Sequence, residues 1–138
     1  MITLAKGKEF TETMSIFIAG LLLLLASLDP LGSWLVKQYA VEERAPLTTG
    51  AVADFQRQTI VVDPEFLERA YRDPKHSKVW SSCILVHEAI HLRENTSREE
   101  IPNAFTYICL DRLGAPAWMK DYVYQKIQAT IVTPPSSQ

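Results

Sequence analysis

The residues most able to do chemistry in this chain are His-Glu-Ala-Ile-His at positions 87–91. On a helix, residues four apart lie one turn and about 40° apart, so His87 and His91 project from one face and can hold one zinc ion. Glu88 lies about 100° further round, where its carboxylate can take a proton from a water molecule at the metal. The motif predicts zinc-dependent hydrolysis of a carbonyl substrate, with Glu88 as general base.

A pattern of three fixed residues also arises by chance, at about the half-per-cent level in a chain of this length. Two observations favour a functional motif here. It lies within residues 78–93, whose apolar spacing predicts an amphipathic helix, and it uses two of the three histidines of the chain. We therefore predict Zn2+ as the cofactor and His87 and His91 as two of its ligands.

This motif and its flanks resemble the zincin class of zinc metallopeptidases. Uncharged residues usually surround the histidines of that class, as Val86 and Ile90 do here, whereas Arg93 departs from the pattern. The metzincin branch does not fit, because its third histidine and its glycine would fall at Ser97 and Glu94. The gluzincin branch takes its third metal ligand from a glutamate on the next helix. The resemblance implies a peptidase that acts on peptide or protein substrates.

The acidic pair Glu99-Glu100 resembles the gluzincin element that carries this third ligand. In a helical hairpin around the polar loop 95–97, residues equidistant from the centre face each other, which pairs His91 with either glutamate. Glu100 lies about 110° from the centre of the apolar pattern of its helix, and Glu99 about 140°. Glu100 is therefore the predicted third ligand, and Glu99 and Glu94 remain the alternatives.

A strand pair is expected near this helix. Residues 51–55 and 58–62 are short β-type runs, the second rich in β-branched side chains, and together they predict a hairpin. Zincins align an extended substrate on an edge strand beside the cleft, and the resemblance assigns that position to residues 58–62. Such strand addition gives main-chain hydrogen bonds with little sequence selectivity.

Helices account for the rest of the domain. Asp63 and Pro64 are favoured as N-cap and first helical residue, and Asp73-Pro74 ends that helix. After the helix at 78–93, two more are predicted, from near residues 99–102 to 113 and from 117 to about 131. The predicted fold class is α+β, a minimal zincin-like domain over residues 46–132 with a short β-hairpin and about four helices, preceded by an apolar N-terminal helix.

The most apolar run of the chain is IFIAGLLLLLASL at residues 16–28, which ends at Asp29-Pro30. Thirteen helical residues span about 20 Å, less than the roughly 30 Å of a bilayer core. A secretory signal, an uncleaved anchor and a helix buried in the protein's own core are the alternatives. We favour a membrane-directed segment and linker over residues 1–45, with membrane association through residues 16–36. Lys6 and Lys8 before it place the remaining domain outside the cytoplasm.

Composition limits the other possibilities. With 138 residues the chain is one small domain, and 14 Lys+Arg against 16 Asp+Glu give a net charge of −2. We expect no nucleic-acid partner, because no excess positive charge exists to attract one. Cys83 and Cys109 lie in apolar stretches and are predicted to be buried free thiols. The tail 133–138 is predicted to be disordered.

The sequence therefore predicts a zinc metallopeptidase in which His87, His91 and Glu100 hold the metal and Glu88 activates water. One alternative from another class is a catalytically idle zinc-binding module that acts in membrane-associated partner recognition. A second is a structural membrane-associated protein in which the motif is accidental. Metal content and peptide cleavage distinguish the three.

Overall fold

The structure, a computed structural model, describes residues 8–45, 47 and 49–132, and the predicted disordered tail lies outside this part of the chain. Within it the chain forms six helices and one three-stranded mixed sheet, which confirms the α+β class. The helices are α1 (Lys8–Leu28), α2 (Pro30–Lys37), α3 (Pro64–Arg72), α4 (Ser77–Glu94), α5 (Glu100–Arg112) and α6 (Ala117–Val132). The strands are β1 (Ala40–Glu43), β2 (Ala51–Asp54) and β3 (Thr59–Val62).

The sheet has the order β1-β3-β2. The antiparallel pairing of β2 with β3, with Ala51 opposite Val62, confirms the predicted hairpin. The sequence did not indicate β1, which pairs parallel to β3 on its other side. β3 is consequently the central strand and is buried along its whole length. The prediction that residues 58–62 form the edge strand is therefore wrong, and β2 is the edge strand on the side of the hairpin.

Helices α3 to α6 begin and end close to where the sequence indicates, whereas α2 was not predicted as a separate helix. Asp63 caps α3 by accepting a hydrogen bond from the Glu65 amide, with Pro64 in the first turn. The four helices α3 to α6 agree with the four predicted after residue 46 to within two residues at most ends. Helix α4 lies in the middle of the fold, since it contacts α1, α2, α3, α5, β2 and β3. The HEAIH motif on α4 is therefore surrounded by several other elements of the fold.

The predicted division of the chain at residue 45 is not a break in packing. Leu21 and Leu25 of α1 and Val36 of α2 belong to the same buried cluster as the residues of α4. The opposite side of α1 is open, with Leu23 68% exposed. The apolar run at 16–28 thus packs one of its faces against the rest of the domain. Among the described residues, no helix combines the length and apolar character needed to cross a bilayer.

Cys83 and Cys109 are fully buried, as predicted, but they are not free thiols. They form a disulfide that joins α4 to α5, with their Cα atoms 5.6 Å apart. The sequence could not reveal this pairing, because it depends on which faces of the two helices meet. The disulfide links the two helices that carry the candidate site.

Candidate metal centre and active site

Three side-chain atoms converge beside the turn between α4 and α5. His87 Nε2 and His91 Nε2 lie 3.2 Å apart, and Oε1 of Glu99 lies 3.0 Å from the first and 3.1 Å from the second. Both histidines are largely buried, whereas the Glu99 side chain is 52% exposed. These three residues form the one group in the described part of the chain that could hold a metal ion.

The other nitrogen of each imidazole ring has a fixed partner. The Thr106 hydroxyl donates to the Pro102 carbonyl at 2.9 Å, so its oxygen accepts from Nδ1 of His87, also at 2.9 Å. Nδ1 of His91 donates to the Thr96 carbonyl at 2.7 Å. With the proton of each neutral ring on Nδ1, both Nε2 atoms present lone pairs, which is the form that binds a metal.

The turn after α4 makes the second of these contacts possible. Asn95 ends the helix in the left-handed conformation, with φ of 51°. The chain then folds back, and the Thr96 amide donates to the His91 carbonyl at 3.2 Å. Asparagine tolerates this conformation better than most residues. The turn thereby brings both the Thr96 carbonyl and the Glu99 carboxylate next to His91.

The arrangement fits a zinc ion. Two neutral imidazole nitrogens and a carboxylate oxygen are all acceptors, so three such atoms about 3 Å apart repel one another unless a metal cation or a proton lies among them. Ligands at 2.0–2.1 Å from a tetrahedral zinc lie about 3.3–3.4 Å apart, slightly more than the separations found here. Two nitrogens and one oxygen are also a ligand set that catalytic zinc sites use, with a fourth position open.

The third predicted ligand is not part of this cluster. Glu100 turns away and forms an ion pair with Arg98, and the Arg98 charge holds the pKa of that carboxyl below its usual value. Glu94, at the end of α4, is exposed and likewise outside the cluster. The structure places Glu99, the other glutamate that the sequence left open, beside the two histidines.

The reason for this difference is the buried face of α5. The sequence pattern predicted an apolar stripe that includes Ile101 and Ile108, but these side chains are 48% and 43% exposed. The buried residues of α5 are instead Pro102, Asn103, Thr106, Cys109 and Leu110. On that face Glu99 lies about 20° from the centre and Glu100 about 120°. A polar pattern, Glu99-Asn103-Thr106, thus marks the side that faces α4.

Glu88 lies close to this cluster but is not part of it. It is only 8% exposed and lines the same cleft as His87 and His91. Burial, together with the smaller effect of the nearby Glu99 charge, raises the pKa of Glu88 to about 8. Burial lowers the pKa of His87 to about 4, although the charge of Glu99 acts in the opposite direction. The low pKa favours the neutral imidazole ring.

The site opens into a cleft of about 590 Å3 between the sheet edge and α4, α5 and α6. β2 forms one wall. The Gly50 carbonyl accepts from the Asp63 amide at 2.9 Å, so along the hairpin Val52 is the next residue bonded to β3. The main-chain N–H and C=O groups of Ala51 and Ala53 therefore point away from β3, along an edge that lines the cleft.

Four residues that contribute to the site were not singled out from the sequence. Thr106 and the Thr96 carbonyl orient the histidines, while Asn103 and Lys126 line the cleft. The spacing of Glu99, Asn103 and Thr106, at four and three residues, was a signal for one helix face. Nothing in the local sequence indicates that Lys126 of α6 returns to the site. His76, the third histidine of the chain, does not line this cleft.

Comparison with known proteins adds no relative, since no family model, curated protein or solved structure matches the chain.

Proposed function

We propose that this protein is a zinc-dependent hydrolase that cleaves peptide bonds. The observation that carries the proposal is the convergence of His87 Nε2, His91 Nε2 and Glu99 Oε1 within hydrogen-bonding distance of one another, while Nδ1 of each histidine has a separate partner. These three atoms would hold the metal. Glu88 is buried beside them, where the charge of a bound cation would lower its pKa from about 8 and give the carboxylate that such a reaction requires as base.

His87, His91 and Glu99 would hold a zinc ion, which would supply Lewis-acid activation of the substrate carbonyl and of water. Glu88 accepts a proton from the attacking water as the new C–O bond forms. It then donates that proton to the amide nitrogen as the C–N bond breaks, which releases a carboxylic acid and an amine. Thr106 and the Thr96 carbonyl hold the imidazoles in the required orientation.

The free edge of β2 supports a peptide as the substrate. Ala51 and Ala53 direct main-chain N–H and C=O groups away from β3 along the wall of the cleft, and only the Ala51 carbonyl has a partner among the described residues, the Thr49 hydroxyl at 3.0 Å. An extended peptide can add to such an edge as a further strand, which fixes its main chain independently of its sequence. Both side chains are small, so they leave the approach to this edge open.

Metal content tests the proposed ligands. We expect zinc bound stoichiometrically to the full chain by elemental analysis, lost in Glu99→Gln and kept in the matched variant Glu100→Gln. Both variants replace a glutamate carboxylate by an amide, at neighbouring positions of the chain. Loss of zinc in Glu100→Gln alone would instead support the ligand that the sequence favoured.

Peptide cleavage tests the proposed reaction. Zinc-loaded wild-type protein should cleave members of a peptide library, whereas Glu88→Gln should bind zinc and cleave none, because the amide cannot accept the proton. Glu94→Gln, an exposed glutamate on the same helix, is the matched control and should cleave as wild type does. Zinc binding without any cleavage by the wild type would instead support the idle zinc-binding module.

We infer further that the protein works at a membrane, outside the cytoplasm. The disulfide between Cys83 and Cys109 supports an oxidising compartment. Apolar side chains on α1 and α2, including Leu23, Leu31 and Trp34, are about half exposed or more. The Arg93 guanidinium lies 5.6 Å from the Trp34 ring, a pairing suited to the membrane surface. Flotation with anionic vesicles should recover the wild type and lose Leu23→Glu, and recovery of both would contradict the inference.

A further inference from the structure

The cleft continues beyond the metal-ligating side chains, along the groove between α4 and α6. Its surface there is apolar. Ile84 and Trp80 lie about one and two turns before His87 on α4, and Val123 of α6 is buried beside them. A bound peptide can place a hydrophobic side chain on this surface, with main-chain atoms still within reach of the metal-ligating groups.

A lysine stands at the rim of this apolar surface. Nζ of Lys126 lies 4.9 Å from the centroid of the Tyr122 ring, and that ring contacts the Trp80 ring with centroids 5.9 Å apart. The ammonium is thus held over an aromatic pair that is itself part of the cleft wall. Among the described residues that line the cleft, Lys126 is the only lysine or arginine.

The negative and positive charges of the cleft therefore lie in different parts of it. Glu88 and Glu99 lie at the end that holds the histidines, and the ammonium of Lys126 lies near the aromatic pair. Lys126 lines the same cleft as His87 and Glu88, so a peptide bound at the histidines can also reach this ammonium.

We propose that Lys126 selects substrates that carry a carboxylate near the cleaved bond, next to a hydrophobic residue seated on Trp80 and Ile84. This inference depends on the proposed peptidase function. The carboxylate is either an aspartate or glutamate side chain or the free C-terminus of the peptide. In both cases it pairs with the ammonium at the rim while the apolar neighbour covers the groove.

The test uses the zinc-loaded full chain and a proteome-derived peptide library with cleavage sites read by mass spectrometry. We expect wild-type cleavages to be enriched in carboxylates within three residues of the cut bond. Enrichment of Asp and Glu within the peptides identifies a side-chain carboxylate, and cuts clustered next to the peptide ends identify the C-terminus. The best-cleaved peptide is then compared with its Gln or Asn form and with its C-terminal amide.

Substitution at position 126 connects the preference to the lysine. Lys126→Gln should lower kcat/KM about fivefold for the carboxylate peptide and leave the neutral form unchanged, as expected for one partly exposed charge pair. Lys126→Glu should lower kcat/KM for the carboxylate peptide further. It should favour a peptide in which lysine replaces the carboxylate residue. The matched control is Lys75→Gln, which removes the same charge from an exposed turn outside the cleft and should cleave as wild type does.

The outcomes separate the two proposals. Cleavage without carboxylate enrichment, or an equal effect of Lys126→Gln and Lys75→Gln, overturns the role of Lys126 and leaves the peptidase function intact. No cleavage of the library by the zinc-loaded wild type overturns the peptidase function and this inference with it. Because Glu88→Gln is not used here, loss of activity through the base cannot be confused with loss of selectivity.

Discussion

The two helices that carry the candidate site differ in how well their sequences predict their orientation. On α4 the apolar residues predicted to face inward, such as Val79, Val86 and Ile90, are buried. On α5 the predicted apolar stripe is partly exposed, and Asn103 and Thr106 are buried in its place. The comparison teaches that the rule of apolar inside and polar outside fails where polar side chains face a neighbouring helix to hold its functional groups.

The largest effect should follow from changing α4 itself. His91→Ala removes a proposed ligand, so zinc affinity should fall by more than the roughly 10–100-fold that outer partners contribute. Titration with a competing zinc chelator measures this loss. His76→Ala is the matched control, since His76 is the third histidine of the chain and lies outside the metal cluster. Equal zinc affinity in the two variants would contradict the site.

The connection between α4 and α5 should rank next. The disulfide from Cys83 to Cys109 closes a loop of 26 residues, and the chain-entropy relation gives about 3.5 kcal/mol of stabilisation for that length. Reduction of the wild-type protein should lower the free energy of unfolding by about this amount in denaturant titrations. Reduction leaves every side chain in place, so it needs no substituted control. Alkylation of two thiols in unfolded, unreduced protein would contradict the pairing.

A change on α5 should lower the zinc affinity by less than His91→Ala does. Thr106→Val keeps the shape of the side chain but removes the oxygen that accepts from His87 Nδ1. Zinc affinity should fall about 10–100-fold, in the range of outer-shell partners of metal ligands. Thr130→Val is the matched control, since Thr130 lies near the end of α6 and donates only to the Lys126 carbonyl. An unchanged zinc affinity in Thr106→Val would show that α5 does not orient the histidine.

The sequence predicted most of the fold and about half of the site, for reasons that these residues illustrate. HEAIH is a local pattern, so His87, Glu88 and His91 could be assigned from helix geometry alone. Glu99 could not be chosen over Glu100, because the choice depends on how α5 is rotated against α4. β1 was missed because Ala40–Glu43 is short and its parallel partner β3 is distant in the sequence. The disulfide and Lys126 depend on packing in the same way.

The smallest effect concerns Glu43, a half-buried carboxyl group with no evident role. Its Oε1 has no hydrogen-bond partner among the described residues, and burial raises its pKa to about 7. The folded state therefore holds this proton more tightly than the unfolded state does, so the contribution of Glu43 to stability falls as pH rises from about 4.5 to 7. Its partial exposure limits this loss to about 1 kcal/mol or less.

Glu43→Gln should abolish that pH dependence, so its advantage over wild type in the free energy of unfolding should grow between pH 4.5 and 7. The neighbouring Glu42 is the contrast, because Arg57 and then Arg44 lower its pKa. Its contribution is present above its unfolded pKa and is lost as pH falls through its folded pKa, so Glu42→Gln should show the opposite trend. Parallel pH profiles for the two variants would contradict this prediction. They would mean that water solvates the Glu43 carboxylate and that β1 holds no unpartnered buried carboxyl group.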